Sequence, residues 1–392
     1  MLESVTIKEI LLLCFAIDLT QSKVMLVHSI FRHGERTTDT KFMYPNDPYR
    51  NKTFYPYGNG QLTNEGKLTM YSLGKQLGHR YSDLLGDTYF PEIVDAWASS
   101  LPRTQVALQL VLAGLFPPNH SLVWNKDLLW QPIAYNTLPK ELDTLLLGIL
   151  TNGFIEEYNK QCKTKAAKRF MEEAEPALAY IRKHSGLQAY TPREFFFFYI
   201  TLNTEDHLGL TLPAWTKKIY PQPLSSLIHL NFELEMSTKK LRRLLIGDLM
   251  KKILTDTEDT IFGKKNRRIN LYSAHDVNIA YILIFFDQMY KHAPGYSATL
   301  VIEVHEENSD YFIEVHYREN KHSDFKLLPF PNHETRMPLA VFRDLVNNLL
   351  EIEENPGQNG ERLLNNSSNN FEEWMSYYQS VFMLLCYRYL VQ

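Results

Sequence analysis

Cysteine is scarce. Cys14, Cys162 and Cys386 are the only three in 392 residues, too few for a disulfide-stapled scaffold and without the Cys/His spacing of a zinc site. No apolar run reaches the length of a membrane-spanning helix, which excludes a polytopic membrane protein. An excess of one charge is also missing. Lys and Arg total 41 against 45 Asp and Glu, a net charge of −4, so the broad basic footprint that nucleic acid requires is not there. The chain has no Walker loop, no Gly-x-Gly-x-x-Gly, no internal repeat and no low-complexity tract. What it does have is a hydrophobic fraction of 44% and 23 tyrosines, ample for the core of a soluble globular enzyme or binding protein.

The first 22 residues stand apart. Residues 10–17 form an apolar run followed by polar residues, the length of a secretory h-region, and 1–22 is read as a signal peptide. Export also suits the Asn-x-Ser/Thr sequons at Asn51, Asn119, Asn365 and Asn366. With Cys14 removed, Cys162 and Cys386 are either one disulfide across a long loop or two unrelated thiols, and spacing alone does not decide.

Residues 24–31 (VMLVHSIF) read as a buried strand that stops at Arg32-His33-Gly34-Glu35-Arg36. Residues 38–61 are punctuated by Pro, Asn and Gly and read as a surface loop. Thr63 reads as an N-cap before helical spacing over 68–85. A second strand is expected over 93–99. A helix over 102–115 starts at Pro102, where a missing N–H is tolerated, and is expected to end at Gly114 and Pro117-Pro118. Residues 120–235 carry helical periodicity, over 154–181 and 191–201, with few strand signals. Another helix covers 239–254. A third strand over 268–273 ends at Ala274-His275-Asp276, and a helix over 278–290 follows. Alternation over 298–305 and 311–317 predicts an antiparallel hairpin, on which His305 and His316 read as structural histidines. Residues 371–391 read as an amphipathic helix packed on the protein. Strands alternating with helices make an α/β architecture.

Two loops carry the chemistry. His33, flanked by Arg32 and Arg36, follows directly on a strand, where α/β sheets place their ligands. Nearby guanidiniums disfavour an imidazolium, which leaves a neutral, nucleophilic ring. The arginines suit an oxyanion, phosphate best of all, and Gly34 would let backbone approach a ligand. His275-Asp276 holds the equivalent place on another strand. There His275 supplies a further phosphate ligand and Asp276 a general acid, active when protonated and so favoured at acidic pH. Asp276 could equally be a helix N-cap. Arg103, at a helix start beyond the second strand, adds a cation to an N-terminus that already favours anions. Ser99 and Ser100 are further candidate donors.

The pair of motifs Phe31-Arg32-His33-Gly34-Glu35-Arg36 and Tyr272-Ser273-Ala274-His275-Asp276 resembles the histidine acid phosphatases, branch 2 of the histidine phosphatase superfamily. The stretches Gly60-Gln61-Leu62-Thr63-Asn64-Glu65-Gly66, Leu115-Phe116-Pro117-Pro118, Leu129-Trp130-Gln131-Pro132 and Leu212-Pro213-Ala214-Trp215 agree, and the likeness covers about residues 24–350. It implies a mixed central sheet flanked by helices, in a discontinuous α/β domain of 23–119 and 236–350. A helical domain of 120–235 is inserted, and 351–392 forms an atypical tail. It implies hydrolysis of phosphate monoesters through a phosphohistidine at His33, with Asp276 as proton donor and Arg32, Arg36, Arg103 and His275 on the phosphate. No cofactor and no metal are called for. Cys162 pairing with Cys386, a homodimer, and a secreted or lysosomal location without membrane association are further implications. The chain departs from the family pattern at Thr38, where proline is usual, at Trp97-Ala98-Ser99-Ser100-Leu101-Pro102, which lacks one arginine and two aspartates, and at Val277-Asn278. Competing readings are an inositol-polyphosphate phosphatase of the same branch, against which Asp276 argues, a phosphoglycerate mutase, disfavoured by the sequons, and a secreted binding protein with weakened catalysis.

Overall fold

The computed structural model describes residues 22–351 apart from 189–190, 289–291 and 332–333. Along the chain come β1 (Lys23–Arg32), α1 (Asn64–Arg80), β2 (Val94–Ala98) and α2 (Pro102–Leu115). Four helices follow: α3 (Asn152–Gln161), α4 (Lys165–Ser185), α5 (Pro192–His207) and α6 (Leu224–Glu235). The chain then forms α7 (Asp248–Ile261), β3 (Ile269–Ala274) and α8 (Asp276–Phe285), and the hairpin β4 (Thr299–Glu307) and β5 (Asp310–Arg318). It closes with β6 (Lys326–Leu327), β7 (Met337–Pro338) and α9 (Leu339–Leu350).

The expected α/β class is what forms. The sheet runs β2-β3-β1-β4-β5-β6, with β7 on β5. β1 is parallel to β3 and antiparallel to β4, so the sheet is mixed. Its last seven residues are buried, which explains an unbroken apolar run in place of alternation. The register fixes the site's position. Arg32 pairs with Ala274, Phe31 with Thr299, and Ala98 with Ser273. The ends of β1, β2 and β3 and the start of β4 therefore meet at one edge. The hairpin turns at Asn308-Ser309, both at positive φ, as a tight two-residue turn requires.

One face of the sheet packs Val27, Phe31 and Leu271 against Leu73 of α1 and Leu108 of α2. The other packs Leu26 and Ile30 with Phe154, Phe196, Phe232, Tyr281 and Phe342. Helices α3, α5 and α6 thus share the core of the sheet. A further cluster holds Tyr44 with Leu178, Phe195 and Phe198.

Several boundaries differ from expectation. Tyr81 breaks the helix expected over 68–85 into α1 and a short turn, Ser82–Leu85. Thr164 caps α4 by accepting from Ala167 N, which divides the stretch 154–181. Lys239–Arg242 and a π-turn at Arg243–Gly247 precede α7. Gly114 does not terminate α2. It lies inside the helix, where a Cβ would collide with the carbonyl of Tyr71, so it lets α1 and α2 pack backbone to backbone. The loop 38–61 is not confined to the surface. Tyr44, fully buried, stacks edge-on against Phe198 at 5.2 Å.

Beneath that loop lies a pair of acids. Asp47 lies beside Glu205 of α5, which is fully buried. Burial and then the neighbouring Asp47 push the Glu205 carboxyl up to about 9, and burial raises Asp47 as well. Two buried acids side by side favour a proton on one of them.

Candidate active site

At the sheet edge the backbone threads His33 between two strands. His33 N–H donates to the carbonyl of Ala274, and Ser297 N–H donates to the carbonyl of His33. The ring's protonation follows from its partners. Nδ1 lies 2.9 Å from the Gly34 carbonyl, which only accepts, so Nδ1 carries the hydrogen. Nε2 receives a bond from Arg103 Nε at 3.1 Å, and a guanidinium only donates. Both contacts demand the same tautomer, and Nε2 holds the free lone pair. Burial, then Arg103, Arg32, His275 and Arg36, hold the imidazole well below its ordinary value.

Gly34 is needed for a reason other than a ligand. A Cβ there would strike the carbonyl of Gly66, and one on Gly66 would strike that of Glu35. The loop after β1 therefore lies flat on the first turn of α1. Thr63 completes the joint. Its hydroxyl donates to Glu35 Oε1 at 2.7 Å and accepts from Gly66 N at 3.0 Å, and its N–H reaches the Glu35 carbonyl.

Arg32, only 3% exposed, spans the site. Nη2 meets Asp276 Oδ2 at 2.9 Å, Nη1 donates to the Pro294 carbonyl at 2.6 Å, and the guanidinium lies 4.4 Å over the Tyr296 ring. Arg36 donates to the Thr37 carbonyl. The Nε of Arg32 and the Nε of Arg36 are buried without a partner among the described residues. Buried donors of this kind are rare unless a ligand accepts from them. Arg103, at the second position of α2, is pulled down to about 9 by burial and by Arg36, with Asp39 and Asp276 opposing. It remains a cation at neutral and acidic pH.

His275 and Asp276 open α8. His275 Nε2 lies 2.9 Å from Ser99 Oγ, which lies 2.8 Å from Thr104 Oγ1. Thr104 Oγ1 reaches the Leu101 and Ser99 carbonyls as well as Ser99 Oγ; with Thr104 donating to Ser99 and Ser99 donating to Nε2, the ring's N–H stands on Nδ1, free for an anion. The ring is fixed by its Nε2 edge, and its charged form is disfavoured by burial and then by Arg103, Arg32 and Arg36. Asn278 takes the His275 N–H on its Oδ1 and donates to the Leu146 carbonyl. Asp276 Oδ1 accepts from Val277 N at 2.9 Å.

The structure thus gathers His33, Arg32, Arg36, Arg103, His275 and Asp276 at one place. Ser99 positions His275, and Ser100 Oγ is buried without a partner among the described residues. Tyr296 and the Pro294–Ser297 loop escaped sequence reading. They precede an antiparallel strand, and the start of such a strand lies where its parallel neighbours end. Tyr296 also bonds Thr204 of α5 at 2.9 Å, which brings the helical segment to the site. Of the sequons, Asn51 is exposed, while Asn119 Nδ2 is engaged by the Asp87 carbonyl. Cys162 caps α3. Residues 1–21, Cys386, Asn365, Asn366 and the tail from 352 lie outside the described residues.

A family model described as the histidine phosphatase superfamily (branch 2) matches residues 23–185. The venom acid phosphatase of Apis mellifera is 35% identical over 338 residues, 85% of this chain and 87% of that protein. The prostatic acid phosphatase of Bos taurus is 30% identical, covering 88% and 90%. Among solved structures, a Klebsiella phytase superposes with a TM-score of 0.61 at 16% identity, covering 84% of this chain and 96% of its own. The multiple inositol polyphosphate phosphatase of Bifidobacterium longum superposes at 0.54 and 10% identity, covering 83% and 92%. At those identities the two structures speak to the fold alone.

Proposed function

The chain belongs to the histidine acid phosphatases, branch 2 of the histidine phosphatase superfamily, and is a phosphoric monoester hydrolase; we propose that it works through His33 as nucleophile and Asp276 as proton donor. The observation that carries this reading is the tautomer of His33. Its Nε2 lone pair faces the arginine cluster, and Nδ1–H is anchored on the Gly34 carbonyl. In the first step Nε2 attacks phosphorus in line with the ester oxygen. The P–O bond breaks, and the protonated Asp276 gives its proton to the leaving alkoxide. In the second step water attacks the phosphohistidine, Asp276 takes the water's proton, and the ring regains its lone pair. Arg32, Arg36, Arg103 and His275 hold the phosphoryl oxygens and offset the charge that builds on them. The unpartnered Nε–H groups of Arg32 and Arg36 are the donors with capacity to spare.

The test is rapid acid-free quenching during turnover of an aryl phosphate at pH 5. It should trap one phosphohistidine per site, acid-labile and base-stable, and His33→Ala should lose both the adduct and turnover. Near wild-type turnover in that variant would overturn the assignment. The bee and bovine relatives are named acid phosphatases, which supports the monoester reading over the inositol-polyphosphate one.

We further propose the α/β catalytic body as 23–119 with 236–350, and the segment 120–235 as the wall that selects substrates, through the bond of its Thr204 to Tyr296. Export to the cell exterior or lysosome, cleavage of 1–22, glycans at the sequons, a Cys162–Cys386 bond and a homodimer belong to the same proposal. Among the described residues no helix is long and apolar enough to cross a membrane.

A further inference from the structure

The hairpin contains the tetrapeptide Ile-Glu-Val-His twice, at 302–305 and 313–316. The register sets Glu303 directly opposite Glu314, so the two segments are related by a local twofold axis between those glutamates. Side chains two apart in a strand share a face. Glu303, His305, Glu314 and His316 therefore all project to one side of the sheet. They are also nearly closed off, with side-chain exposures of 5%, 10%, 14% and 11%.

Two carboxylates placed directly across an antiparallel pair repel one another; Arg80 and Arg336 answer them from outside, and the carboxylates' inner oxygens face the two imidazoles. The inner atoms converge. His305 Nε2 lies 3.0 Å from Glu303 Oε2 and 3.5 Å from Glu314 Oε2. His316 Nε2 lies 3.3 and 3.5 Å from the same two oxygens. A tetrahedral zinc with bonds of about 2.05 Å holds its ligand atoms about 3.3 Å apart. The separations of His316 Nε2 from the two carboxylates match edges of that tetrahedron, and Glu303, Glu314 and His316 satisfy the mutual spacing of metal ligands.

The outer atoms are engaged elsewhere. Glu303 Oε1 accepts from Arg80 at 2.9 Å and from Tyr81 at 2.7 Å. Glu314 Oε1 meets Arg336 at 2.9 Å, and His305 Nδ1 meets Ser22 at 3.1 Å. Arg80 Nη2 is 3.2 Å from one nitrogen of His316 and 3.4 Å from the other. It therefore lies over the ring face, clear of the Nε2 lone pair. This is the outer shell that orients ligands around a metal.

We propose that Glu303, Glu314 and His316 bind one divalent transition cation, zinc by ligand type, at the end of β4 remote from catalysis, with His305 beside them on the same carboxylates. β1 relates the two ends. Its last residue, Arg32, serves the phosphate site, and its second, Val24, pairs with His305. The cation would tie the hairpin to the C-terminus of α1 and to the residues before β1, a structural role separate from the chemistry of His33.

The experiment is titration of the full-length, chelator-treated chain with Zn2+ by calorimetry and with Co2+ by visible absorption. One equivalent should bind, with the d–d bands of a four-coordinate site, and Tm should rise while aryl phosphatase activity stays unchanged. Glu314→Gln and His316→Asn should each weaken Zn2+ by more than about 100-fold. Arg336→Leu, which leaves the three ligands in place, should weaken it by about 10- to 100-fold. Circular dichroism and retained activity establish folding of each variant. Absence of Co2+ bands, or Zn2+ affinity unchanged in the folded variants, would overturn the site. So would Zn2+ that binds only by inhibiting turnover, since that places the ion at the arginines.

Discussion

Replacing Glu205 by glutamine should make the protein more stable at neutral pH and leave it unchanged near pH 4.5. The carboxyl is fully buried against Asp47 and keeps its proton in the folded chain up to about pH 9. The unfolded chain releases that proton near the ordinary glutamate value of about 4.3. Between those limits the native state holds a proton that the unfolded state has lost. Stability therefore falls as pH rises, by about 1.4 kcal/mol per pH unit. From pH 5 to 7.5 the loss is about 3 kcal/mol, an upper figure because the proton can sit on either acid. Glutamine occupies the same volume, can donate an N–H to Asp47, and does not titrate. At roughly 2 °C per kcal/mol for a chain of this size, the Tm of Glu205→Gln should exceed that of the wild type by about 6 °C at pH 7.5. The two should converge by pH 5. Differential scanning calorimetry at half-unit steps from pH 4.5 to 8 reads this directly. Parallel Tm–pH curves for the two proteins would refute the retained proton.

Asp276→Asn should lower kcat by about 100- to 10,000-fold, with a larger loss for alkyl than for nitrophenyl phosphates, since only poor leaving groups need the proton. Equal losses for both would remove Asp276 from that role. Gly66→Ala should cut both Tm and activity, because the new methyl meets the Glu35 carbonyl, which is backbone and cannot swing away. Full activity in that variant would mean the joint between α1 and the His33 loop is not needed. Phe232→Ala removes a fully buried ring that touches Phe196 and Tyr281 and should destabilise by about 3–5 kcal/mol. Because that ring lies in the sheet's own core, melting should stay a single transition. A second, earlier transition would show that the helical segment unfolds alone.

Much of the site could be read from the chain because its chemistry sits in two short words, each at the end of a buried strand. The run ending at Phe31 and the helix starting at Pro102 carry strong local signals, and β1 and α2 formed where those signals put them. Contacts that depend on register could not be read the same way. Nothing in the sequence sets Ser99 against His275, or brings Tyr296 beneath Arg32, until β4 is known to run antiparallel to β1. Tyr44 was hidden by its neighbours, since Pro, Asn and Gly around it announce a surface loop while its ring fills a core. The glycines at 34, 66 and 114 are legible as glycines, but their purpose is a helix or loop backbone far away in sequence. The repeated Ile-Glu-Val-His was visible in plain letters. Its meaning needs the pairing of Glu303 with Glu314, which only the hairpin register supplies.

The bond from Arg103 to His33 Nε2 has one more effect. The atom proposed to attack phosphorus accepts a bond from a guanidinium. In the proposed mechanism a phosphate would draw Arg103 to its own oxygens, and the same movement would uncover the nitrogen. Anion arrival and nucleophile exposure are then a single event. A neutral electrophile, which cannot attract the arginine, would then meet a masked atom.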